Sequence, residues 1–190
     1  SSQTFNSGNT AFYNALAVQL SKVLGGSKSS APMKNGLENT TTSLTFNNTS
    51  QTRMPVSNGV ANDRFGNSVA VSGNYAIVGA WYKSTTGSHP GNGAAYIYDV
   101  SNGIQELHYI YGENDDDYFG RSVDIDGNNA IVGASDHDGN GIKRGKVYIY
   151  NVTTGNLTRS IPNNFGSNND RFGQDVAISG TKAVIGAPYD

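Results

Sequence analysis

The sequence predicts an all-β protein built from repeated four-stranded antiparallel units, with a short helix near the N-terminus. Three observations predict it. A Phe-Gly motif recurs three times, at Phe65, Phe119 and Phe172, which lie 54 and 53 residues apart. Each copy is followed by two short, β-branched runs separated by a single glycine turn. The chain of 190 residues carries 24 glycines and only 15% charged residues, a composition suited to strands and turns.

The elements follow in order. Residues 1–41 read as a helix over about 10–24 and a linker. Phe12, Leu16, Leu20, Val23 and Leu24 share one helical stripe, Asn9 or Thr10 can cap it, and Gly25-Gly26 can end it. That stripe suits packing on the repeats or docking to a partner. Residues 42–61 resemble the second half of a repeat: Ser43–Asn47 matches Val147–Asn151, and Thr52–Pro55 matches Thr158–Ser160 with the residues after it. Two full repeats (62–114 and 115–168) follow, then a half repeat (169–190).

Within a repeat, Ser68–Val71, Ser122–Ile125 and Asp175–Ile178 alternate as first strands. Turns at Gly73, Gly127 and Gly180 lead to second strands Ala76–Ala80, Ala130–Ala134 and Ala183–Ala187. Ala95–Tyr98 and Val147–Tyr150 are third strands; fourth strands lie near 106–111 and 157–161. Four antiparallel strands per roughly 50 residues is the signature of a β-propeller blade. The reading is two full blades and two half blades. Closed propellers have about four to eight blades. The expectation is therefore a fragment of a longer propeller, a ring closed by two chains, or a head-to-tail assembly in which chains complete one another.

Phe-Gly, then Ser-Val-Ala-Val, then Ile-Val-Gly-Ala resembles the FG-GAP repeat, known from the integrin α-subunit propeller and from bacterial and archaeal surface proteins. The resemblance covers residues 62–190 and rests on Phe65, Gly66, Gly79 and Ala80, on Phe119, Gly120, Gly133 and Ala134, and on Phe172, Gly173, Gly186 and Ala187. It implies a propeller and an extracellular or cell-surface role in adhesion or assembly. Physically, the glycines permit close backbone approach and the phenylalanines pack between blades.

Several function classes are excluded. A net charge of −2 lacks the basic footprint of a nucleic-acid binder. No apolar run reaches the roughly 18–20 residues of a membrane span. Without cysteine there are no disulfides and no cysteine-based zinc site. His89, His108 and His137 occupy non-equivalent places, and no nucleophile elbow or phosphate loop occurs, so no enzyme is expected.

Calcium is the cofactor to consider. The integrin-type calcium loop falls between first and second strands, where only short turns stand here, too short to wrap an ion. A better candidate is Asp136, Asp138 and Asn140, at alternating positions before Gly141; Val147 stands where a bidentate acid would complete the loop. Asn39, Asn47, Asn48, Asn151 and Asn156 begin N-glycosylation sequons. The expected function is an extracellular adhesive or scaffolding segment that binds protein or glycan at the cell surface. The alternatives are a subunit of an extracellular filament completed by inter-chain strand pairing, and a calcium-dependent binding module. Expected partners also include further copies or further repeats.

Overall fold

A computed structural model describes residues 53–84, 91–138, 142–164 and 166–190. The chain divides into two units, Ser1–Met54 and Pro55–Asp190. The helix expected over 10–24 and the strand expected at 43–47 lie outside the described residues. Apart from Arg53 and Met54, all that follows concerns the second unit.

Ten strands form three antiparallel sheets. Blade 1 holds β1 (Ser68–Ser72), β2 (Tyr75–Ala80), β3 (Ala94–Asp99) and β4 (Gln105–Tyr111), in that order. Blade 2 repeats it with β5 (Phe119–Asp126), β6 (Asn129–Ala134), β7 (Lys146–Asn151) and β8 (Leu157–Pro162). A third sheet pairs β9 (Asp175–Ser179) with β10 (Lys182–Gly186). The all-β expectation is met in both full blades and in the C-terminal hairpin. Each β1–β2 type hairpin turns on two residues, with Gly73, Gly127 and Gly180 at φ 57°, 55° and 57°, a left-handed conformation in which glycine has no Cβ to clash.

Two local differences from expectation have physical causes. β5 begins three residues early: Phe119 joins the ladder opposite Ala134, and a register shift between Phe119 and Ser122 absorbs the extra residues. The fourth strand expected at 52–55 is absent from Arg53–Pro55, which are irregular. Pro55 has no N–H for a ladder, and its carbonyl instead accepts a hydrogen bond from the Tyr98 hydroxyl at 2.7 Å.

The core lies between blades. Ile77, Ala95 and Ile97 of blade 1 pack in one cluster with Phe119, Val123, Ile125, Val132, Tyr148 and Tyr150 of blade 2. Each fully buried side chain of this size contributes about 1.5–3 kcal/mol. Ile131 and Val147 pack in turn with Val176, Phe172, Ile178 and Ile185. Backbones close the junctions. A Cβ on Gly79 would lie 2.0 Å from the Gly120 carbonyl oxygen, and one on Gly133 would lie 2.0 Å from that of Gly173. The same two carbonyls accept hydrogen bonds from Ser68 Oγ and Ser122 Oγ, each at 2.8 Å. Parallel bridges Gly93–Phe119 and Gly145–Phe172 complete each seam.

Candidate functional site

The blades have two unlike ends. At one, the hairpin turns are uniform and stitched to each other: Gly127 N–H donates to Ser72 Oγ (3.1 Å), and Gly180 N–H to Asp126 Oδ2 (2.7 Å). At the other end the β2–β3 and β6–β7 connections meet the segments that carry the Phe-Gly motifs.

Each motif is a strained loop around a buried carboxylate. Asn62 and Arg64 have φ of 75° and 60°, Asp116 and Tyr118 of 65° and 55°, Asn169 and Arg171 of 70° and 55°. Left-handed conformations of this kind are unfavourable for Arg and Tyr and persist only where surroundings hold them. The holding group is the aspartate between them: Asp63, Asp117 and Asp170 are 2%, 2% and 1% exposed. Asp63 Oδ2 accepts from Val60 N–H (2.7 Å) and from Lys83 Nζ (2.9 Å), a buried pair whose ammonium also donates to the Asn58 carbonyl. Asp117 Oδ2 accepts from Asn114 N–H (3.0 Å) and lies 2.8 Å from His137 Nδ1. Asp170 Oδ2 accepts from Asn163 Nδ2 at 3.3 Å. The burial of these aspartates and their pairing with Lys83 and His137 escaped the sequence reading, which gave packing roles to the Phe, Gly and Ala of the motif. The available signal was the recurrence of Asp immediately before Arg-Phe-Gly or Tyr-Phe-Gly, with a basic residue three positions after Ala80 and Ala134.

The surface above these loops does not repeat. Beside blade 1, Trp81 packs edge-on against Tyr82 and Tyr118, with centroids 5.0 and 4.7 Å away. The Arg121 guanidinium sits 5.8 Å from the Trp81 and Tyr118 rings. Beside blade 2 the equivalents of Trp81 and Tyr82 are Ser135 and Asp136. Asp136 is buried, with Lys143 Nζ 3.0 Å from Oδ2 and Arg171 Nε 3.6 Å from Oδ1. That carboxylate raises the Lys143 pKa. Further out, Glu113 grips Lys146 through both oxygens, at 3.0 and 2.8 Å. Partial burial pushes the Glu113 carboxyl up, but Lys146 outweighs it and holds the pKa below the usual range.

Asp136 faces two cations, Asp138 Oδ1 accepts from Lys143 N–H at 2.8 Å, and Asn140 lies outside the described residues. No group of three or more His, Cys, Asp or Glu is placed to hold a metal ion among the described residues. Of the sequons, Asn39, Asn47 and Asn48 lie outside the described residues. Asn156 is exposed; Asn151 is half-buried, its Oδ1 accepting from Thr154 N–H at 2.9 Å.

Stacked four-stranded antiparallel sheets, each opened by Phe-Gly and closed on its neighbour by glycine, define a propeller-type repeat protein. The FG-GAP repeat matches residues 49–98, 112–150 and 164–190, more than half of the chain, and the chain belongs to that family. Repeats of this family are typically extracellular protein-binding modules, and the family is generally found outside the cell or at its surface. Among curated proteins no match is found. No described helix is long and apolar enough to cross a membrane.

Proposed function

We propose that this chain is an extracellular adhesive or scaffolding module that binds a protein or glycan through the loop end of its blades, without bond chemistry. One observation carries the reading. The repeats share the serine-to-carbonyl hydrogen bonds and glycine contacts that join them, yet the side chains at equivalent loop positions differ in kind: Trp81 and Tyr82 beside one blade, Ser135 and Asp136 beside the next. A fixed scaffold that presents varied loops is the arrangement of recognition proteins, and Trp, Tyr and Arg are the side chains that most often carry binding energy at interfaces.

The test is binding of the full chain to an array of matrix proteins and cell-surface glycans. Trp81→Ser and Tyr118→Ser at the loop end should each weaken the strongest signal about tenfold or more. Thr153→Ala at the turn end should leave it unchanged. Equal loss from both ends would defeat the assignment of the loop end as the binding face.

A further inference from the structure

The cleft of about 240 Å³ on the outer rim of blade 2 is lined by His137, Arg144, Lys146, Ser160 and Asn163. Its basic side chains are partnered unequally. His137 pairs with Asp117 (2.8 Å) and lies 3.8 Å from Glu113; Lys146 pairs with Glu113 (2.8 Å). Arg144 has no ion pair among the described residues, and its Nε is buried with no hydrogen-bond partner. A buried donor left unmade costs about 1–3 kcal/mol, more when charged. The arginine is nonetheless firmly placed: its carbonyl accepts from Phe172 N–H (2.9 Å) and Asn163 Nδ2 (3.4 Å), so the next Phe-Gly motif anchors its backbone.

Nothing in the blade fold demands this cleft. At the equivalent place in blade 1 stand Asn92, Ala94, Tyr109 and Tyr111. There the two tyrosine rings pack 5.6 Å apart, and Asn92 Nδ2 donates to the Gly112 carbonyl at 3.5 Å. Blade 2 exchanges aromatic and small residues for a guanidinium, an ammonium and a hydroxyl.

We infer that this cleft is a carboxylate-binding site, in which Arg144, with Lys146 and Ser160 beside it, receives an acidic side chain of a partner protein. The charge count selects the ligand. Lys146 is matched by Glu113, whereas the Arg144 guanidinium has no ion pair among the described residues; a single open guanidinium suits a monoanionic carboxylate better than a divalent phosphate or sulfate. The planar guanidinium offers adjacent N–H groups that fit a carboxylate in bidentate fashion. Glu113, 48% exposed, is the resident competitor for Lys146. The inference rests on the loop end being a binding face, but it is measured without any partner.

The experiment is an NMR titration of the full-length chain with sodium acetate at pH 7, with chloride exchanged to hold ionic strength constant, read at the backbone amides of Gly145 and Lys146. A saturable shift is expected. Arg144→Gln should abolish it, Arg144→Lys should weaken it, and Glu113→Gln should strengthen it by about threefold, as removal of a screened like charge predicts. Unchanged resonances around Phe119 establish that each variant is folded. No saturable response, or the same response in Arg144→Gln, overturns the site. Sulfate that saturates the cleft as well as acetate overturns the carboxylate assignment. In a second arm, an aspartate-containing peptide should bind where its asparagine counterpart does not. A sulfated oligosaccharide that binds while the peptide fails overturns the acidic-protein partner. Failure of the array experiment with acetate binding intact would count against the proposed function and leave the cleft standing.

Discussion

The junction between blades 1 and 2 and the junction between blade 2 and the β9–β10 sheet are the same joint with different surroundings. Both are closed by a glycine set against a carbonyl (Gly79 on Gly120, Gly133 on Gly173) and by a serine hydroxyl on that carbonyl. They differ in what covers them. Phe119 is fully buried between two complete sheets, with Tyr148 at 5.3 Å and Tyr150 at 6.2 Å, whereas Phe172 is half-buried beside a two-stranded sheet whose Val184 is 73% exposed. The loop above the first joint is aromatic and the loop above the second is ionic. The blades therefore share one backbone joint, while the side chains packed around it set stability and recognition at each junction.

Alkali should have the largest effect, and on both complete blades together. Burial pushes the hydroxyls of Tyr96, Tyr98, Tyr148 and Tyr150 well above the usual phenol value, with carboxylates such as Glu106 and Glu113 adding to the effect. A group whose folded pKa is raised contributes stability that is fully present below the unfolded pKa of about 10 and is lost as pH rises beyond it. All four tyrosines belong to blades 1 and 2, so both blades should unfold cooperatively in alkali. Tyrosinate absorbance for these four should appear together with loss of the β-sheet circular dichroism signal; titration of all four near pH 10 with the sheet intact would break the expectation.

Phe119→Ala should destabilise by about 3–5 kcal/mol in urea unfolding, because it opens a cavity between two full sheets. Phe172→Ala should cost clearly less, since Phe172 is already part-exposed. Equal effects would mean that sheet completeness does not govern these joints.

Gly79→Ala and Gly133→Ala should each cost about 2–3 kcal/mol and by nearly the same amount, since the new Cβ meets backbone in both places. Unequal thermal shifts would show that the joints are not equivalent at the backbone. The smallest effect is expected from Ser68→Ala and Ser122→Ala, about 1 kcal/mol each. Ser122 should be the costlier, because its hydroxyl is the more deeply buried of the two.

Much of this architecture was legible in the chain. The repeat period, the order of strands and the three glycine turns follow from alternation and punctuation, because each is a local property of φ preference and side-chain periodicity. Phe65, Phe119 and Phe172 were legible as packing residues for the same reason. The site was less so. The alternating oxygen side chains at Asp136 and Asp138 suggested a cation loop, yet folding sets Lys143 and Arg171 against Asp136, and Arg171 lies 35 positions away in the chain. The role of Asp63 and Asp117 shows only in their burial, as the acceptors inside the strained motifs.

By itself, then, the sequence determined which segments are strands, where they turn and that they repeat, since those depend on contacts a few residues apart. Tertiary structure alone decided which charges meet and which do not. Asp117 with His137, Glu113 with Lys146, and Arg144 with no acceptor at its buried Nε are outcomes of where one blade lays its loops against the next. Charge pairing depends on distance in space and on burial, and neither is written in the spacing of residues along the chain.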